Sequence, residues 1–139
     1  MKFTRISLIF SLFVSLLACG PSQKDLNNDK RAEVMAVHDE VMPKLGQLKS
    51  FEKRASQKAE ELAMDSTNMD RVKQLELLAV ELDQAYEDMF VWMRQYEIED
   101  EGKTPEEVKR YLEEQMVLVT KVNKSIKDVL AKSDSLLVD

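Results

Sequence analysis

Apolar residues recur along most of this chain in alternating steps of three and four. Between 29 and 63 they fall at Val34, His38, Val41, Leu45, Leu48, Ala55, Ala59 and Leu62, with an interruption at Glu52 where Phe51 turns inward instead. From 69 to 98 the stripe is Val72, Leu75, Ala79, Leu82, Tyr86, Met89, Met93 and Tyr96, widened on one flank by Leu78, Ala85 and Trp92. From 105 to 136 it is Val108, Leu112, Gln115, Val119, Val122, Ile126, Val129, Ser133 and Leu136. Such spacing puts one apolar face on an α-helix. Between the stripes stand Asp65-Ser66-Thr67-Asn68 and Glu99-Asp100-Glu101-Gly102, clusters of turn-forming residues. Thr104-Pro105-Glu106-Glu107 adds an N-cap hydroxyl, a Pro at the first helical position and a Glu placed to close a capping box. Short loops make neighbouring helices antiparallel. The sequence therefore predicts an all-α fold, an antiparallel up-down-up three-helix bundle over 29–139 with coiled-coil-like packing. Pro43 falls inside the first stripe, where it removes a hydrogen bond and crowds the carbonyl four residues back, so a kink is expected there.

The beginning of the chain follows a different rule. Lys2 and Arg5 precede an apolar run over 6–18 that stops at Cys19-Gly20-Pro21. The run is too short to span a bilayer, and its basic start, apolar middle and small residue before the break describe a secretory signal over 1–18. Leu16-Leu17-Ala18-Cys19 resembles a bacterial lipobox, which implies cleavage before Cys19 and diacylation of its thiol. The two or three acyl chains of such proteins anchor durably where a single chain does not. Residues 19–28 are polar and without period, and are expected to be a flexible tether. Gln23-Lys24-Asp25 resembles the short signal that sends Bacteroidota lipoproteins to the cell surface. The sequence places the protein at the outer membrane and leaves both the periplasmic and the surface-facing orientation open.

Composition narrows the chemistry. The chain has 139 residues, one Cys, one His, and a net charge of −6; losing 1–18 removes Lys2 and Arg5 but no acid, leaving 18 basic residues against 26 acidic ones and a charge of −8. An acidic chain lacks the basic footprint that nucleic-acid binding requires. One His and one Cys cannot make a zinc quartet. Neither a nucleophile with a separate His partner nor a glycine-rich phosphate cradle is present. The expectation is no catalysis, no cofactor and no metal.

Reflection about the two loops brings His38, Asp39, Glu40 and Pro43 level with Trp92, Arg94, Tyr96 and Tyr111. That end of the bundle holds the single His, the single Trp and two of the three Tyr. Arg94 is expected to pair with Asp39 or Glu40, Lys44 with Asp88, and Lys49 with Asp83. The run Phe90-Val91-Trp92-Met93 is too apolar for one amphipathic face, so Phe90 or Trp92 belongs at the edge of the core, where an aromatic beside Arg94 has the composition of an interface anchor. Two functions follow from this end. One is a structural or protein-interaction module of the cell envelope that docks a protein partner; the other is a site for a small ligand or a cation at the His38/Trp92 end. A homodimer formed by pairing helices between chains is the alternative arrangement of the narrow stripes.

The stretch 34–44, which contains His38-Asp39-Glu40-Val41-Met42-Pro43, together with Trp92-Met93-Arg94 behind a lipobox, is similar to small Bacteroidota lipoproteins of unassigned function. Some of these carry the label viral A-type inclusion protein. The resemblance implies the same shape and compartment and supplies no activity.

Overall fold

The computed structural model describes residues 20–137. Its helices are α1 (Gln23–Val41), α2 (Leu45–Leu62), α3 (Met69–Gln95) and α4 (Pro105–Leu136), and no strand occurs among the described residues. Short 3₁₀ turns at Met42–Lys44 and Ser66–Asn68 join α1 to α2 and α2 to α3. Since α1 and α2 are one rod with a break, the architecture is the expected three-helix bundle.

The first helix begins earlier than its apolar pattern suggests. Ser22 is an N-cap in a reciprocal capping box: its hydroxyl accepts from the Asp25 N–H (3.2 Å) while the Asp25 carboxylate accepts from the Ser22 N–H (3.1 Å). Asn27 is buried, and its side-chain amide donates to the Pro105 carbonyl at 2.7 Å. The tether expected over 19–28 is therefore corrected: residues from Gln23 onward are helix, held by a local cap and a long-range bond that no hydrophobic period reveals. Cys19 and the signal segment lie outside the described residues.

Pro43 breaks the rod as expected. It occupies the start of the 3₁₀ turn, where its missing N–H costs least, and the chain resumes as α2 at Leu45. The break changes which neighbour the rod touches. α1 packs chiefly on α4 and α2 chiefly on α3, while α3 and α4 pack along each other. The rod thus lies diagonally across an α3–α4 hairpin. Lys132 with Glu81 (2.6 Å) and Arg71 with the Leu136 carbonyl show α3 and α4 antiparallel. Asn27 with Pro105 and Asn123 with Val37 (2.8 Å) show α1 and α4 parallel.

The core runs between these layers, with Val34, Val41, Leu48, Leu75, Leu82 and Ile126 wholly inaccessible. On α3 the buried face is rotated toward the expected flank. Leu78, Ala85 and Trp92 are buried, Ala79 and Tyr86 half-buried, and Met93 exposed. A helix clasped by both α2 and α4 centres its apolar face between two partners, not on the narrowest stripe. The last helix, α4, begins where expected, at the N-cap Thr104, whose hydroxyl accepts from the Glu107 N–H at 3.3 Å to close the capping box. In the preceding loop the Lys103 N–H donates to the Asp100 carbonyl (3.0 Å), and Gly102 at φ 75° takes the left-handed position that a side chain would disfavour.

Candidate functional site

His38, Trp92, Tyr96 and Tyr111 are neighbours as the reflection of the helices predicts, but the expectation that they share one end of the bundle is corrected: α1 begins at Gln23, so His38 lies beside Asn123 near the middle of α4, and the rings run from there toward the α3–α4 loop. Their rings form a continuous tilted series, His38 to Trp92 at 5.4 Å, Trp92 to Tyr96 at 5.0 Å and Tyr96 to Tyr111 at 6.1 Å. These separations suit aromatic packing. The series crosses the bundle from α1 through α3 and its end to α4. His38 Nδ1 lies 2.8 Å from the Asp39 carboxylate, which can only accept, so Nδ1 carries a proton in this contact.

Buried polar groups without partners occur on α1, α3 and α4. His38 Nε2, Trp92 Nε1 and Gln115 Oε1 are buried and have no hydrogen-bond partner, although the three residues are only 8%, 5% and 8% exposed. A buried polar group without a partner costs free energy, and among the described residues Glu52 Oε2 on α2 is a fourth such atom.

The remaining candidates disperse. Trp92 is buried, so of the two aromatics expected at the core edge it is Phe90, half-buried and with its ring tilted 4.8 Å from that of Tyr86, that lies there. α4 closes over the indole because the face of α3 is rotated as described above. Pro43 and Arg94 are exposed. The expected pairing of Arg94 with Asp39 or Glu40 is also corrected, since Asp39 engages His38 and Glu40 reaches α4. There Glu40 accepts from Lys127 (2.5 Å) and from the Asn123 amide (2.9 Å), and the Lys127 ammonium in particular holds its carboxyl below the ordinary value. The expected Lys49 to Asp83 pair is present at 3.0 Å.

Two contributors escaped the sequence reading. Asn123 falls beside the α4 stripe but is buried, and its amide ties α4 to both Val37 and Glu40. Arg31 reaches into the α3–α4 loop, donating to the Glu97 carbonyl (3.2 Å) and the Tyr96 hydroxyl (3.4 Å) and pairing with Asp100. The Tyr111 hydroxyl accepts from the Glu97 N–H at 2.5 Å, and partial burial pushes its phenol up from the ordinary value. An Arg one helical turn before Val34, facing an acidic loop, was the available signal.

Among the described residues no group of three or more His, Cys, Asp or Glu side chains could hold a metal ion, and no helix is long and apolar enough to cross a membrane. No family model, curated protein or solved structure matches the chain.

The outer side of the α3–α4 hairpin, away from the α1–α2 rod, offers the other surface of interest. Two adjoining grooves of about 620 and 240 Å³ run along it and share Lys121 and Ser125. Val80 (66% exposed) and Leu118 (46%) project beside them, and one edge of Trp92 forms part of the smaller groove.

Proposed function

We propose that this protein is an outer-membrane lipoprotein, akin to the small Bacteroidota lipoproteins it resembles, whose helical body serves as a structural or protein-interaction module without catalysis. The signal over 1–18 would direct export, and Cys19 would carry the acyl chains. The observation that supports the interaction role is the open α3–α4 face, where large apolar side chains are exposed along grooves that α1 and α2 leave uncovered. The early start of α1 bears on the geometry of anchoring. Only residues 20–22 separate Cys19 from the helix, so at most about 14 Å of chain lies between the acyl chains and the bundle end that holds Asn27 and Pro105.

A second reading is favoured by the unpartnered ring nitrogens of His38 and Trp92, whose rings lie 5.4 Å apart and which would suit a small polar ligand that donates and accepts hydrogen bonds. One experiment addresses both. Mass spectrometry of the protein extracted from membranes under native conditions should show an N-terminus at Cys19 bearing two or three acyl chains, and Cys19→Ser should abolish acylation and release the protein from the membrane. An unacylated, uncut chain would sink the lipoprotein reading. Added mass that survives extraction and disappears in His38→Leu would favour the ligand reading, whereas a bare acylated chain removes it.

A further inference from the structure

We infer that the outer α3–α4 face is the interface of a homodimer whose two-fold axis runs along the helices. The inference rests on reading the helical body as an interaction module and names its partner as a second copy of the chain. Its ground is the distribution of charge across the two lips of the groove. Over 77–93, α3 carries four acids, Glu81, Asp83, Glu87 and Asp88, and neither Lys nor Arg. Over 117–132, α4 carries Lys121, Lys124, Lys127 and Lys132 against Asp128 alone. Asp83 turns to Lys49 on α2 and Lys127 to Glu40 on α1, while Glu81 and Asp88 line the grooves from α3 and Lys121, Lys124 and Lys132 with Asp128 line them from α4, so one lip is acidic and the other net basic.

Part of this charge is spent within the chain. Lys132 pairs with Glu81 at 2.6 Å, Lys124 with Asp128, and Lys127 with Glu40. Lys121 on the basic lip makes no ion pair among the described residues, and Asp88 on the acidic lip accepts only from the Gln84 amide at 2.7 Å. Asp88 and Lys121 line opposite sides of the same groove.

A two-fold operation must match a surface to itself. With the axis along the helices, α3 of one copy lies over α4 of the other, antiparallel, and levels are preserved. Asp88 then meets Lys121 of the second copy twice over, and Val80, Val91 and Leu118 are buried between the hairpins. An axis across the helices would instead place α3 on α3 and α4 on α4, acid against acid and base against base. The charge pattern therefore selects one of the two arrangements, and the result is a four-helix layer with a diagonal rod on each outer side. The stripe from Leu77 to Gln95 gives it a seam of about 27 Å.

Equilibrium sedimentation of the mature chain in density-matched detergent tests this. The expected result is a concentration-dependent dimer. Lys121→Glu should weaken it about tenfold, because symmetry repeats the lost pair, and Leu118→Glu by more. Combining Asp88→Lys with Lys121→Glu should return the dissociation constant to within about threefold of the parent, since the swap restores complementarity. The two charge variants alter only surface residues, so the test survives if Leu118→Glu fails to fold. A monomer at every concentration, or a dimer that ignores both Lys121→Glu and Leu118→Glu, would overturn the proposal. Neither result touches acylation at Cys19, which is read separately.

Discussion

The seam between α2 and α3 and the seam between α1 and α4 are built on opposite principles. Leu48, Ala55 and Ala59 on α2 meet Val72, Leu75, Leu78 and Leu82 on α3 in an apolar interior, with Lys49 and Asp83 paired at the surface. The α1–α4 seam buries Asn27, His38, Gln115 and Asn123 among its apolar residues and is laced by Glu40 to Lys127. Apolar packing supplies most of the free energy of folding and is indifferent to small shifts, whereas a buried amide is satisfied in one register only. The difference teaches that the rod's distal half contributes stability and its proximal half fixes alignment.

The largest effect should follow from breaking the apolar seam. Leu82 is wholly inaccessible between α2, α3 and the core, so Leu82→Ala should cost about 2–5 kcal/mol, counting lost transfer and the remaining cavity. Chemical denaturation checks it; a loss below about 1 kcal/mol would mean that this half collapses around the gap and is less tightly packed than its burial implies.

Asn123→Ala should do less to stability and more to alignment. Val37's carbonyl keeps its helical donor and Glu40 keeps Lys127, so the change removes hydrogen bonds without leaving a buried group bare, a loss of about 1–2 kcal/mol. Its signature is local. Amide exchange should quicken in α1 and the facing part of α4 while α2 and the start of α3 keep their protection. Uniform quickening through the whole molecule would show that the two seams are one cooperative unit and dissolve the contrast.

The same contrast explains what could be read from the sequence. The apolar seam was legible because Leu and Ala at three and four spacing declare a helix face directly, and the break at Pro43 and the Thr104 to Glu107 cap follow from backbone chemistry that needs no tertiary partner. The aromatic layer was legible too, since antiparallel geometry alone brings His38 level with Trp92. The polar seam was not. Asn27 and Asn123 look like surface residues until their partners 78 and 86 positions away are known, and Ser22 to Asp25 resembles a linker unless its capping-box spacing is weighed. Whether Phe90 or Trp92 takes the core edge is not legible for a related reason, because the rotation of α3 is decided by having two neighbours and not by its own stripe.

The smallest effect concerns acid, and it should again divide the two seams. Asp25 is held below its ordinary 3.8 by the Ser22 hydroxyl and N–H that it caps. Glu107 is held below 4.5 by the Thr104 N–H and hydroxyl, and Glu40 below 4.5 by Lys127 and Asn123. All three belong to α1 or α4. On the α2–α3 side Asp65 alone is lowered, by the Thr67 N–H. A carboxylate whose value is lower folded than unfolded stabilises above its ordinary value, and that contribution drains away as pH falls through the lowered one. Below about pH 4 the first turns of α1 and α4 should therefore lose amide protection before α2 and α3 do. Asp25→Asn with Glu107→Gln should lower protection of those turns at neutral pH and flatten its fall on acidification. If α3 lost protection first, the caps would not be the acid-sensitive point, and the alignment role given to the α1–α4 seam would have to rest on its buried amides alone.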